Sequence, residues 1–509
     1  MRTSRRKRPH GRSGPPGRVE IYAGALGKIP TGAEAVRGMS IFRSWMEGLP
    51  LLGAQRASAH SLTAATAPSH DDRQDSDLRP VLVNWVAKGS WAIMDQGLFA
   101  LSNFLLNVML ARWLTPRDYG AFTVAFSVFL FIGAVHFALL IEPMLVFGPA
   151  RYAGRYAEYL KTLMLGHWAL IAPASLSLLL AGTILALWRP SALSSALIGF
   201  AFAGPVILLT WLMRRACYLR SEPRLAALAG LLHLALMMLG LFALFQQRWL
   251  SILSALGLLG VVSLLTCVWL SIRLHIPLPS RTPPGVFRGT LRDHWKYGRW
   301  AVATMVLMWV PGESYYLLLP LWHGLGATAV FKALTNLTTP LRNTDIALGV
   351  LMLPVLARVR GTARFGRLIS LATVVLVAGS AVYWVPLVLF HRPLLAWLYG
   401  GRYEGYAEVL WFLGLYLLIS PISDIFGGGL RALERPDLVF RANVLATAAA
   451  VIFGLWGIVR WGVAGAAGGM ALSSATRAIA MWWYARGPGA TMFLRQLPAG
   501  ENSTMQNGD

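Results

Sequence analysis

Lys332, Asn336, Thr339 and Asn343 recur at intervals of four, three and four within FKALTNLTTPLRNTDIAL, Phe331 to Leu348. At 100° per residue their side chains fall within about 60° of one another on a helix. An ammonium group and two amides on one stripe form a cationic lining suited to an anionic ligand. Arg342 and Asp345 occupy a neighbouring face at i, i+3, where they can pair. The stripe lies between the apolar stretches LLLPLW and GVLMLPVLARV. Such groups are costly in hydrocarbon, so they face protein or a water-filled cavity. The structural alternative is that Asp345 neutralises Arg342 while Lys332 snorkels to an interface.

A second stripe lies in SWAIMDQGLFALSNFLLNVMLARW, where Gln96, Asn103 and Asn107 share a face at i, i+7 and i+11. Asp95 and Ser102 lie to one side. Interhelical hydrogen bonding, worth about 0.6 kcal/mol per group in membranes, is the plainer account of such residues. Two stripes, one near the start of each apolar half of the chain, favour a shared polar cavity. The candidate substrate-binding set is therefore Lys332, Arg342, Asn336, Asn343, Gln96, Asn103 and Asn107.

Acids inside apolar segments are candidates for ion or proton coupling, because an isolated carboxylate there gains by taking a proton or a cation. Asp95, Glu313 and Asp424 form that set. Glu313 follows Pro311-Gly312, and Asp424 lies between Pro421 and Gly427-Gly428-Gly429, residues that loosen helices. Glu142, near a helix end, reads as the partner of an Arg. His136 and His233 read as packed side chains.

The elements that carry these residues are membrane spans. The 509 residues are 56% hydrophobic and 13% charged, against about 25% charged in soluble domains. Apolar runs near 20 residues cross about 30 Å of hydrocarbon and satisfy their own backbone only as helices. The runs predict twelve spans: 85–111, 119–142, 161–187, 192–213, 225–246, 250–272, 297–320, 325–354, 368–390, 404–426, 438–459 and 462–485. The fold class is all-α and integral to a membrane. Two six-helix lobes, 85–272 and 297–485, are expected to be related by a pseudo-twofold repeat, since ARWLTPRDYGAF and LWHGLGATAVFK each join two long helices. The basic, Pro-rich stretch 273–296 reads as the connector between lobes.

Charge sets orientation. Connections after even-numbered spans, with the span edges beside them, carry 20 Lys and Arg and those after odd-numbered spans carry 7, which defines an Arg-rich and an Arg-poor end. By the positive-inside rule the Arg-rich end and both termini are cytoplasmic. A net charge of +24 is thus a topology signal and not a nucleic-acid surface. Residues 1–80, with seven basic residues before Glu20, read as a basic, disordered cytoplasmic tail. Residues 486–509 read as a cytoplasmic C-terminal tail.

No P-loop, HExxH, GxSxG or CxxC occurs, so the sequence points to no enzyme, catalytic residue, metal or cofactor. Cys217 and Cys267 lie in or beside apolar segments and read as packing residues.

DQGLFALSNFLLNVMLARWLTPRDYGAF resembles the first hairpin of the bacterial polysaccharide flippases, the O-antigen and exopolysaccharide branch of the multidrug/oligosaccharidyl-lipid/polysaccharide exporter superfamily. The matching residues are Ala111, Arg112, Leu114, Thr115, Pro116, Tyr119 and Gly120, with Thr115 in place of the usual Gly. Leu353, Pro354, Leu356, Ala357 and Arg358 resemble the end of that family's eighth helix. GGLRALERPDLVFRANVLATAAAVIFGLWGIVRWGVAGAA is similar to its tenth-to-twelfth helix region. The resemblance spans roughly residues 85–485. It implies lobes arranged as a V in the bacterial inner membrane. It also implies transport of polyprenyl-pyrophosphate-linked oligosaccharide to the periplasmic leaflet for lipopolysaccharide or exopolysaccharide, beside membrane lipids, a polymerase and glycosyltransferases. An ion-coupled drug antiporter and a membrane glycan polymerase or ligase are the competing readings. The second would carry a long periplasmic loop, and none occurs.

Overall fold

The structure is a computed structural model. It describes residues 72–152, 154–276 and 284–487, with most of the side chains from Lys88 onward, and these fall almost wholly in the second of two units, Gln74–Asp509. The readings of 1–71 and of the C-terminal tail after Gly487 lie outside the described residues.

Among the described residues, ten helices are long and apolar enough to cross a membrane. In chain order the helical elements begin with α1 (Asp72–Trp113), α2 (Pro116–His136), a π turn at Phe137–Ile141 and α3 (Glu142–Arg151). There follow α4 (Tyr156–Trp188), α5 (Ala192–Leu219), α6 (Pro223–Gln246) and α7 (Ile252–Arg273). The second half consists of α8 (Pro284–Asn336), α9 (Thr339–Arg358), α10 (Ala363–Leu389), the short α11 (His391–Tyr399), α12 (Val409–Ala432) and α13 (Pro436–Arg486).

Among the described residues, two of the ten helices are each divided once, which gives twelve segments. Gly324, at φ 74° and ψ 173°, divides α8, and Gly462, at φ 55° and ψ −122°, divides α13. Both conformations are open chiefly to glycine. The part of α8 after Gly324 continues through the turn Leu337–Thr338 into α9 and forms the eighth span.

Several boundaries differ from the sequence expectation. The first helix starts at Asp72, not near 85. The inter-half connector is shorter than 273–296, because α8 begins at Pro284; a proline at the first helical turn has no N–H to leave unsatisfied. Helix α5 continues to Leu219, so Arg214 and Arg215 are helical and not in a loop.

Local chemistry closes the turns. Thr115 caps α2, its Oγ1 accepting from the Asp118 amide at 3.1 Å ahead of Pro116. Ser191–Ser194 and Ser251–Ser254 form reciprocal capping pairs at α5 and α7. The core at the junction of the halves is aromatic. Phe122, Phe126, Phe129 and Phe200 stack in one cluster with Tyr315, Tyr316 and Phe331. Helix α2 runs against α8 there, and α8 packs in turn on α13. A Cβ added at Gly120 would lie 1.8 Å from the Leu325 carbonyl oxygen, so only a glycine permits this backbone approach.

Candidate functional site

The junction between the halves holds a cation and an acid. Lys332, in the part of α8 after Gly324, is partly buried, with its Nζ 5.0 Å from the Tyr316 ring centroid and 5.4 Å from that of Phe126. Aromatic faces attract an ammonium through their quadrupole. Glu313, earlier on α8, accepts a hydrogen bond at 3.0 Å from Ser127 of α2. Glu313 and Lys332 interact electrostatically without a direct ion pair. Among the described residues the Lys332 ammonium has no carboxylate bound to it, so its three donors stay available to a ligand. Thr335 is not free in the same way: its hydroxyl meets that of Tyr316 at 2.8 Å.

The turn at Leu337–Thr338 divides the eighth-span stripe. Asn336 is buried, and its Nδ2 donates to the Phe104 carbonyl of α1 at 3.2 Å, tying the two halves together. Asn343, beyond the turn, is exposed. The four residues do not form one unbroken face, since a 100° wheel assumes continuous helix. Arg342 meets Asp345 at 3.8 Å, the expected i, i+3 pair, yet its nearer partners are on α12: Asp424 at 2.8 Å and Ser420 at 2.9 Å. Arg477 of α13 binds the other Asp424 oxygen. Asp424 is thereby held between two guanidiniums.

The first-span stripe also divides. Asp95 is 1% exposed and paired with Arg214; Tyr218 donates to its other oxygen at 2.7 Å, and Gln96 Nε2 does so at 3.0 Å. Gln96 itself is exposed. Asn107 is buried, donating to the Asn103 carbonyl at 2.8 Å and accepting from the Tyr119 hydroxyl at 3.2 Å. Asn103 lines a cavity of about 70 Å³ within the first half, beside Arg214, His233 and Trp211.

Glu142 is satisfied by the Tyr297 hydroxyl at 3.0 Å, where an Arg was expected. His136 is buried against His167, ring nitrogen to ring nitrogen at 3.0 Å. Cys217 and Cys267 are buried and free.

Arg214, Arg477, Ser127 and the ring pair Phe126–Tyr316 were not singled out by sequence. For Arg477 a signal existed: a lone cation within MALSSATRAIAMWW needs a buried partner. The aromatic pair carried none, because Phe and Tyr are ordinary in such spans.

No family model matches the chain, and no curated protein sequence matches it. Solved structures do. The inward-facing conformation of a multidrug resistance MATE family transporter of the MOP superfamily aligns with 80% of this chain and all of its own, at TM-score 0.67 and 14% identity. An outward-facing conformation of such a transporter aligns at TM-score 0.56 and 13% identity, covering 81% of this chain and 96% of its own. The lipid II flippase MurJ, in an inward closed conformation, aligns at TM-score 0.62 and 11% identity over 81% of this chain and 89% of its own. The chain is an all-helical, multi-pass protein with the fold of these transporters.

Proposed function

We propose that the protein flips a polyprenyl-pyrophosphate-linked oligosaccharide across the bacterial inner membrane by alternating access, from the cytoplasmic to the periplasmic leaflet. Lys332 carries the reading: an ammonium at the junction of the halves, cradled by two rings, with no carboxylate bound to it among the described residues. Such a group attracts phosphate, and the polyprenyl tail stays in lipid while the head group crosses. The protein replaces the water that a charged, hydroxyl-rich head would otherwise lose. Asn343 and Gln96, both exposed, supply further donors. Asn336, Asn107 and Asn103 take part in positioning, since the first two are spent on protein partners. The Arg-rich end is cytoplasmic by the positive-inside rule. The likeness in fold to a lipid II flippase supports a lipid-linked substrate.

A cation exporter would present an unpaired carboxylate to its substrate. Asp95, Asp345 and Asp424 each face a guanidinium here, and Glu313 faces Ser127 with Lys332 nearby. The charge arrangement therefore favours an anionic substrate over a drug cation. The assay is flipping of a fluorescent polyprenyl-pyrophosphate oligosaccharide in proteoliposomes, comparing the wild type with Lys332→Ala at equal protein insertion. Loss of flipping in the variant is expected. Full flipping in the variant, or none in the wild type, rejects the reading.

A further inference from the structure

A second cavity lies inside the second half, apart from Lys332. It measures about 230 Å³ and is walled by α8, α9, α12 and α13. Arg342, Arg477, Tyr416, Ser420, Asn443 and Ser474 supply its polar surface. Neither Asp424 nor Asp345 lines it. The carboxylates sit behind the guanidiniums, so the cavity wall presents cations while the acids orient them.

The guanidinium donors are only partly spent. Arg342 uses Nη1 on Asp424 and Ser420, and its plane lies 5.6 Å from the Tyr416 ring centroid. Arg477 uses Nη2 on Asp424, while its Nε is buried without a partner. A guanidinium carries five N–H donors in a fork that matches two oxygens of a carboxylate or phosphate. By contrast, the Thr447 and Ser473 hydroxyls are already given to backbone carbonyls, at 2.8 Å to Asn443 and 2.8 Å to Ala446. The Asn443 amide and the Ser474 hydroxyl, with those of Tyr416 and Ser420, are neutral donors that line the space.

We infer that this cavity binds an oxyanion, a carboxylate or phosphate group. Arg342 and Arg477 are its cationic wall, Asn443 and Ser474 its neutral donors, and Asp424 the residue that positions both guanidiniums. The inference stands whatever lipid the protein moves, because it uses none of the residues around Lys332. The anion is either free in solution or carried on the transported lipid, and the chemistry of recognition is the same.

The test is thermal unfolding of the full chain in lipid nanodiscs at constant ionic strength, with inorganic phosphate added in one arm. In the other arm, polyprenyl pyrophosphate is included in the nanodisc lipid. The variants are Asn443→Leu, which leaves the ion network untouched, and Asp424→Asn combined with Arg477→Gln, which keeps that network balanced. Phosphate is expected to raise the midpoint of the wild type, and both variants are expected to need about tenfold more of it or higher, as for loss of a charge-assisted hydrogen bond. If phosphate is inert and polyprenyl pyrophosphate gives the same variant-sensitive rise, the anion belongs to the lipid and the inference holds. No rise in either arm, or an equal rise in wild type and both variants, overturns it. Lys332→Ala separates the two sites: it keeps the phosphate response even where flipping is lost.

Discussion

Ser127 of α2 donates a 3.0 Å hydrogen bond to Glu313 of α8, joining the two halves of the molecule beside the Lys332 ammonium. The bond turns the Glu313 carboxylate toward the first half, and among the described residues Lys332 has no direct ion pair. Charge balance at the junction is thus shared among three residues on two helices.

Removing one of these charges should harm folding more than removing both. Lys332→Ala leaves Glu313 with Ser127 alone and is expected to destabilise by about 1–3 kcal/mol, the range for an under-satisfied buried group. Adding Glu313→Gln should restore most of that loss without restoring flipping. Melting midpoints of the single and double variants decide the matter, and equal midpoints would reject the coupling.

The second-half ion network makes a sharper comparison. Asp424, with side-chain exposure of 16%, binds Arg342 and Arg477, whereas the Asp345 Oδ2 accepts no hydrogen bond and sits 3.8 Å from Arg342. Breaking a buried pair by deleting one partner costs about 3–5 kcal/mol. Asp424→Ala should approach that figure, and Asp345→Asn should stay below about 1 kcal/mol. Denaturation in nanodiscs ranks the two, and the opposite order would contradict the geometry.

Gly120 tests closure at the Arg-poor end. Near it, Arg112 donates to the Trp397 carbonyl, Arg402 to that of Leu114, and the Tyr403 hydroxyl to that of Ala111 at 3.3 Å. The Cβ of Gly120→Ala meets backbone, so the helices must part, at about 1–3 kcal/mol for overpacking. A Thr115→Cys reporter should then react faster with a membrane-impermeant maleimide. Unchanged labelling would show that these three bonds hold the seam without the close approach.

The backbone at Gly462 is strained for any side chain, and the His323 ring lies 3.3 Å from an added Cβ. Gly462→Ala should cost about 1–3 kcal/mol. Gly468→Ala, where a Cβ touches only Phe412 at 3.9 Å, should be neutral or better, as alanine favours a helix. Equal effects would mean that the turn relaxes freely.

Hydropathy and arginine placement alone determined that the chain is a bundle of membrane helices, with polar groups in spans one and eight and an uneven charge between its ends. These properties follow from local segment length and composition, since each span must satisfy its backbone within itself. Tertiary structure decided which polar groups remain open. Asp95 and Arg214 pair across 119 residues and Arg477 reaches Asp424 across 53, distances at which no local pattern records a contact. The turn at Leu337–Thr338 likewise separates Asn336 from Asn343, two residues that a continuous helix would align. Only the packing of α2 against α8 places Phe126 and Tyr316 beside Lys332, because an ion's partners are set by which helices meet and not by its neighbours in the chain.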